Sequence, residues 1–178
     1  MRFLPSIEMK KEIENRLSEL KGLRLTDTSR NMNMECLKFG VKQKQFDNES
    51  LNIGQFGIHL QCDWRIINER QILIGSRDLH RSVTYLWNEE IRDYKGDLRD
   101  LLLNSLIGDF NLEVTLVKAD EYGGFELRFK LGLKLQVFPM NSIGRYSEDD
   151  EFIEHWRLLD NRKDPTQHFV VRPTGIDK

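Results

Sequence analysis

Residues 56–81, FGIHLQCDWRIINERQILIGSRDLHR, decide how the rest of the chain is read. Phe56, Ile58, Leu60, Cys62, Trp64 and Ile66 share one parity, and in a strand equal parity means one face. That face is core. Gly57, His59, Gln61, Asp63 and Arg65 hold the other parity, so the strand displays a row of titratable and hydrogen-bonding groups. Residues 72–76 read as the return strand, continued by Arg77, Asp78 and His80. Between the two, Asn68, Glu69, Arg70 and Gln71 lack the Asn-Gly or Asp-Gly signature of a two-residue turn, which leaves two registers open. One sets Trp64 opposite Gly75 and His59 opposite His80. The other sets Ile66 opposite Ile74 and Asp63 opposite Arg77, and it is favoured because it pairs isoleucine with isoleucine and joins opposite charges.

N-terminal to this hairpin, Ile13, Leu17 and Leu20 fall on one side of a helix, with Glu8 and Glu12 near its start and Gly22 just past its end. Residues 23–28 and 32–39 read as short strands, with a turn at 29–31. C-terminal to the hairpin, residues 82–96 show no sustained period and read as irregular. Asp97 then caps a second helix carrying Leu98, Leu101, Leu102 and Leu106, with Gly108 as its stop. Phe110, Leu112, Val114 and Leu116 alternate as a strand, and residues 121–124 form a turn. Residues 125–137 keep one parity throughout, from Phe125 to Val137. The Gly132 inside that run therefore reads as a bend in one long strand. Residues 152–158 and 168–172 suggest a last hairpin, and the residues after Pro173 are expected to fray. The fold class is α+β: an antiparallel sheet of hairpins and a long bent strand, with one or two amphipathic helices on its apolar face, in a single domain over residues 1–178.

Composition narrows the function classes. The net charge of −2 does not suit a dedicated nucleic-acid or membrane-surface binder, although basic residues crowd the first quarter and Glu148, Asp149, Asp150, Glu151 and Glu154 form a late acidic cluster. Two cysteines give no disulfide framework, no run is apolar enough to span a bilayer, and the N-terminus lacks the apolar run of a signal peptide. A cytoplasmic location follows as the expectation.

The candidate binding residues are His59, Gln61, Asp63, Arg65, Arg77, Asp78 and His80. A metal site among them is disfavoured, because residues four apart along a strand are separated by roughly 13 Å and His59 and Asp63 cannot share an ion. No catalytic residues, metal or cofactor are assigned. There is no G-x-S-x-G or H-E-x-x-H motif, no phosphate-binding glycine loop, and Cys62 has the parity of the core. Nucleic acid is disfavoured as a partner by the same reasoning, since Trp64 points inward. What remains is a non-enzymatic module that binds another protein through the polar face of the hairpin or the acidic loop. The competing reading is an enzyme or small-ligand binder using the same polar face. An enzyme requires these side chains to converge in a concave pocket, whereas a binding module can spread them over an open face.

The segments IHLQCDWRI, ILIGSRDL and EHWRLL resemble those of a group of small uncharacterised bacterial proteins. The residues that carry the resemblance are His59, Cys62, Trp64, Arg65, Ser76, Arg77 and Asp78, together with residues 154–158. Some members of that group belong with secreted-toxin systems as immunity-type partners, so the resemblance implies that this chain is the immunity-type partner of a toxin.

Overall fold

A computed structural model describes residues 6–45, 48–81, 97–140 and 153–177. Helix α1 covers Ser6–Leu17 and runs into a 3-10 turn at Ser18–Leu20. Its apolar positions Ile13, Leu17 and Leu20 are all fully buried, as their spacing predicts, and Gly22 takes a φ of 82° that ends the segment. Strands β1 (Leu25–Asn31) and β2 (Met34–Phe39) follow, joined through Met32 at a φ of 53°. The turn thus lies beyond the expected 29–31, because the backbone pairing continues to Asn31 opposite Met34. A separate two-stranded ribbon, β3 (Gln43–Gln45) and β4 (Asn48–Ile53), precedes the organising stretch.

That stretch is two strands. β5 (Phe56–Leu60) and β6 (Asp63–Ile67) are separated at Gln61 and Cys62, whose amides both donate to the carbonyl of His155 at 2.9 and 3.1 Å. The chain crosses there from one sheet to another. Apolar parity persists across the break, with Phe56, Ile58, Leu60, Trp64 and Ile66 all buried, so parity alone gave no sign of it. β7 (Ile72–Gly75) returns antiparallel to β6 with Ile66 opposite Ile74, the favoured register. Ser76–His80 then winds into a 3-10 turn, so Arg77, Asp78 and His80 do not extend the strand. Residues 82–96 lie outside the described residues.

Helix α2 spans Leu98–Asp109, and the Asp97 carboxylate caps it by accepting from the Asp100 amide at 3.0 Å. Its buried residues are Leu98, Arg99, Leu103 and Leu106. The buried stripe is therefore rotated from the expected Leu98, Leu101, Leu102 and Leu106, and it includes an arginine. β8 (Val114–Ala119) leads through a tight turn, where the Asp120 carboxylate accepts from the amides of Tyr122 and Gly124, into β9 (Phe125–Phe129). Residues 130–132 then reverse the chain into β10 (Lys134–Phe138). The long bent strand is thus a hairpin: Leu131 and Gly132 take φ values of 65° and 80°, and Leu127 pairs with Leu135. A tight reversal of this length conserves parity as faithfully as a bend does, which is why the pattern could not tell them apart.

β11 (Trp156–Asp160) and β12 (Gln167–Arg172) form the expected last hairpin, and β13 (Gly175–Asp177) adds a further strand where fraying was expected. The α+β class holds, with the strands divided between two antiparallel sheets, β1-β2-β5-β11-β12-β13 and β7-β6-β10-β9-β8. Their inner faces and both helices share one core. Contact between the sheets is direct: Trp156 meets Phe125 edge-on at 4.8 Å between ring centroids, and its indole N–H donates to the Gly123 carbonyl at 2.7 Å. No described helix is long and apolar enough to cross a membrane.

Candidate functional site

The sheet crossing divides the polar row of the hairpin into three environments. His59 stays with the six-stranded sheet, on its outer face between Cys36 and Arg157 on the neighbouring strands. Burial, then the charge of Arg157, lowers its pKa, so the imidazole is held neutral at pH 7. Arg157 is itself paired with Glu154 and lies 3.3 Å from the His168 ring. The His59–His80 register does not form, since β5 pairs with β2 and β11; the His80 side chain lies outside the described residues.

Arg65 lies on the outer face of the five-stranded sheet. Its guanidinium stacks over Phe138 at 4.9 Å and donates to Gln136 at 2.9 Å. Gln136 in turn donates to Glu126, which also accepts from Arg128 at 2.7 Å. Burial alone would raise the Glu126 carboxyl, but the hydrogen bonds from Arg128 and Gln136 outweigh it and hold the group below its ordinary range. Asp78 acts locally: its carboxylate accepts from the Gly75 amide at 2.9 Å and pairs with Arg81, fixing the start of the 3-10 turn.

Gln61, Asp63 and Arg77 do come together. They line a cavity of about 260 Å³ at the sheet junction, with Asn33, Cys62, Ser76 and Arg99 also in its wall. Asp63 accepts from Arg77 at 3.2 and 3.1 Å and from the Ser76 hydroxyl at 2.9 Å, and the Arg77 bond chiefly holds its carboxyl below the usual range. The charge pairing expected from the favoured register is present, supplied from a turn instead of a strand. Burial pushes the Cys62 thiol up to about 12, so no thiolate is available there.

The residues that sequence reasoning missed are Arg99 and Glu35. Both are 1% exposed, and Arg99 Nε lies 3.1 Å from Glu35 Oε2. Neither of these two atoms has an aligned hydrogen-bond partner, and Arg99 Nη2 has none either, among the described residues. Glu35 sits on the inner face of β2, in a cross-strand row with Arg30 on β1 and Leu60 on β5. Burial raises its pKa to about 7, against the opposing pull of Arg99, and Asp100 and Asp97 add to the rise. Arg30 holds those two aspartates at 3.3 and 3.0 Å. One signal in the sequence did mark Glu35: it shares parity with Leu37 and Phe39. Arg99 gave no comparable sign, since it stands between Leu98 and Asp100 on an ordinary amphipathic helix.

The arrangement supplies fixed charge and hydrogen-bond donors. Among the described residues, no three His, Cys, Asp or Glu side chains are grouped to hold a metal. The acidic loop at 148–151 lies outside the described residues. Comparison with protein-family models, curated proteins and solved structures returns no match.

Proposed function

We propose that this chain is a non-enzymatic module that binds another protein through the outer face of the five-stranded sheet. One observation carries the reading. Apart from Gln61, Asp63 and Arg77 at the sheet-junction cavity, the polar groups of the hairpin lie on separate surfaces, and Arg65 belongs to a preorganised network with Gln136, Glu126 and Arg128 on an open sheet face. Such a network offers both signs of charge in fixed positions, which suits selection of a complementary partner and accelerates encounter. Nucleophilic chemistry is disfavoured by the protonated Cys62 thiol and by the neutralising Asp63–Arg77 pair. The free thiols of Cys36 and Cys62 fit a cytoplasmic setting. The resemblance of the hairpin to bacterial toxin-associated proteins makes a toxin, with this chain as its immunity-type partner, the first class to test.

The test is a pull-down from bacterial lysate with the wild type and with the Arg65→Glu plus Arg128→Glu variant, after circular dichroism shows both folded. A single protein retained by the wild type and lost by the variant supports the reading. Equal capture by both, or capture of nothing, rejects it.

A further inference from the structure

The cavity at the sheet junction has a feature that neither packing nor partner binding through the outer sheet face accounts for. A guanidinium taken out of water is costly unless its charge and its N–H donors are matched. Arg99 is almost wholly buried, yet its only ionic contact among the described residues is Glu35, and Nη2 donates to nothing there. It forms part of the wall of an open cavity whose remaining polar lining includes Gln61, Ser76 and the exposed Arg77. Two cations at one cavity, one of them incompletely satisfied, are the elements of an anion site.

We propose that this cavity binds a single carboxylate group, seated on the guanidinium of Arg99 with Arg77 at its mouth. The charge balance selects the class. Asp63 already occupies Arg77 and Glu35 already faces Arg99, so a dianionic phosphate would meet two carboxylates, whereas a monoanionic, planar carboxylate matches the guanidinium fork at lower repulsion. The volume of about 260 Å³ admits a small acid or one acidic side chain presented by another chain.

Glu35 competes with the ligand for the same guanidinium. The charged groups facing Glu35 are Arg99, Asp97 and Asp100 from α2 and Arg30 from β1. When Glu35 is protonated, the Arg99 charge is released to the cavity. With the Glu35 carboxyl titrating at about 7, the neutral form is about 90% populated at pH 6 and about 10% at pH 8, so binding is about tenfold tighter at the lower pH.

The experiment follows the backbone amides of Gln61, Asp63, Ser76 and Arg77 by NMR during titration with sodium propionate and, separately, with a blocked Gly-Asp-Gly peptide. Both ligands stay ionised from pH 6 to pH 8. Saturable shifts with propionate support the site with a free acid as its ligand. Shifts with the peptide alone support it with a protein carboxylate as the source. Glu35→Gln is expected to bind about as tightly as the wild type does at pH 6 and to lose the pH dependence. Arg77→Gln changes an exposed side chain, leaves the fold intact, and weakens binding about threefold. Absence of saturable shifts with either ligand at pH 6 overturns the proposal, as does undiminished binding by a folded Glu35→Leu plus Arg99→Leu variant. Tighter binding of inorganic phosphate than of either probe overturns the carboxylate assignment.

Discussion

One cross-strand row on the inner face of the six-stranded sheet runs from Arg30 and Glu35 through Leu60 to Trp156, Val171 and Ile176. Its two ends are built on opposite principles. At the C-terminal end, Trp156 is fully buried, packs edge-on to Phe125 and has its one polar atom satisfied by the Gly123 carbonyl. At the N-terminal end, the row meets α2 through charges, and the Glu35–Arg99 pair is buried with unmatched donors and acceptors beside an open cavity. The first end is optimised for cohesion. The second gives up cohesion for an ion pair held almost wholly out of solvent, beside that cavity, where desolvation opposes the attraction of the two charges.

The contrast can be broken from either side. Trp156→Ala is expected to have the largest effect, about 5 kcal/mol of lost stability in urea denaturation, because it removes the packing and strands the Gly123 carbonyl. No second substitution across the row should restore it. Arg99→Leu is expected to cost about 3–5 kcal/mol by leaving Glu35 buried without its partner. Here a second change should rescue: Glu35→Leu in the same chain returns stability to the wild-type level or above it, since a well-packed apolar pair avoids the desolvation of both charges. Failure of that rescue would show that the two ends do not differ in kind.

Titration sharpens the comparison further. Glu35 has its pKa raised on folding from 4.5 to about 7, so the folded state holds the proton more tightly than the unfolded chain. Its contribution to stability is full below pH 4.5 and is lost as pH rises through about 7, on the order of 3 kcal/mol in total. Urea denaturation at pH 5, 6, 7 and 8 should show this decline, and Glu35→Gln should abolish it. The smallest effect belongs to Asp97→Ala, expected to cost about 1 kcal/mol through loss of the α2 cap, with thermal denaturation as the measurement. It should also loosen Arg30, which holds Asp97 and Asp100 together.

Local pattern carried much of this architecture. The spacing of Ile13, Leu17 and Leu20 located α1, Asp97 marked the start of α2, and the preference of isoleucine for isoleucine set the β6–β7 register. Where it failed, the same reason recurs: parity reports which face a residue occupies and nothing about chain direction. The reversal at Leu131 and Gly132 and the crossing at Gln61 and Cys62 both conserve parity, so a hairpin read as one strand and two strands read as one. At the candidate site, Gln61, Asp63 and Arg77 were legible because they lie close in sequence around the short β6–β7 hairpin, Gln61 just before it and Arg77 just after it. Arg99 was not, because its importance comes from Glu35, which is remote in sequence and meets it only after α2 docks beside β1. A pairwise contact between separate elements leaves no periodic trace in either one.

The position of β11 has a consequence for the order in which the protein is made. This strand lies between β5 and β12, and it pairs with β5 through contacts such as Gly57 with Leu159. A nascent chain therefore carries β5 with one edge unpaired, and the core without Trp156, until residues 156–160 have left the ribosome. Helices and the β9–β10 hairpin can form earlier, from neighbouring residues. β11, followed by β12 and β13, completes the larger sheet beyond β5, and a chain stalled before it exposes on β5 a ready template for pairing with a second copy.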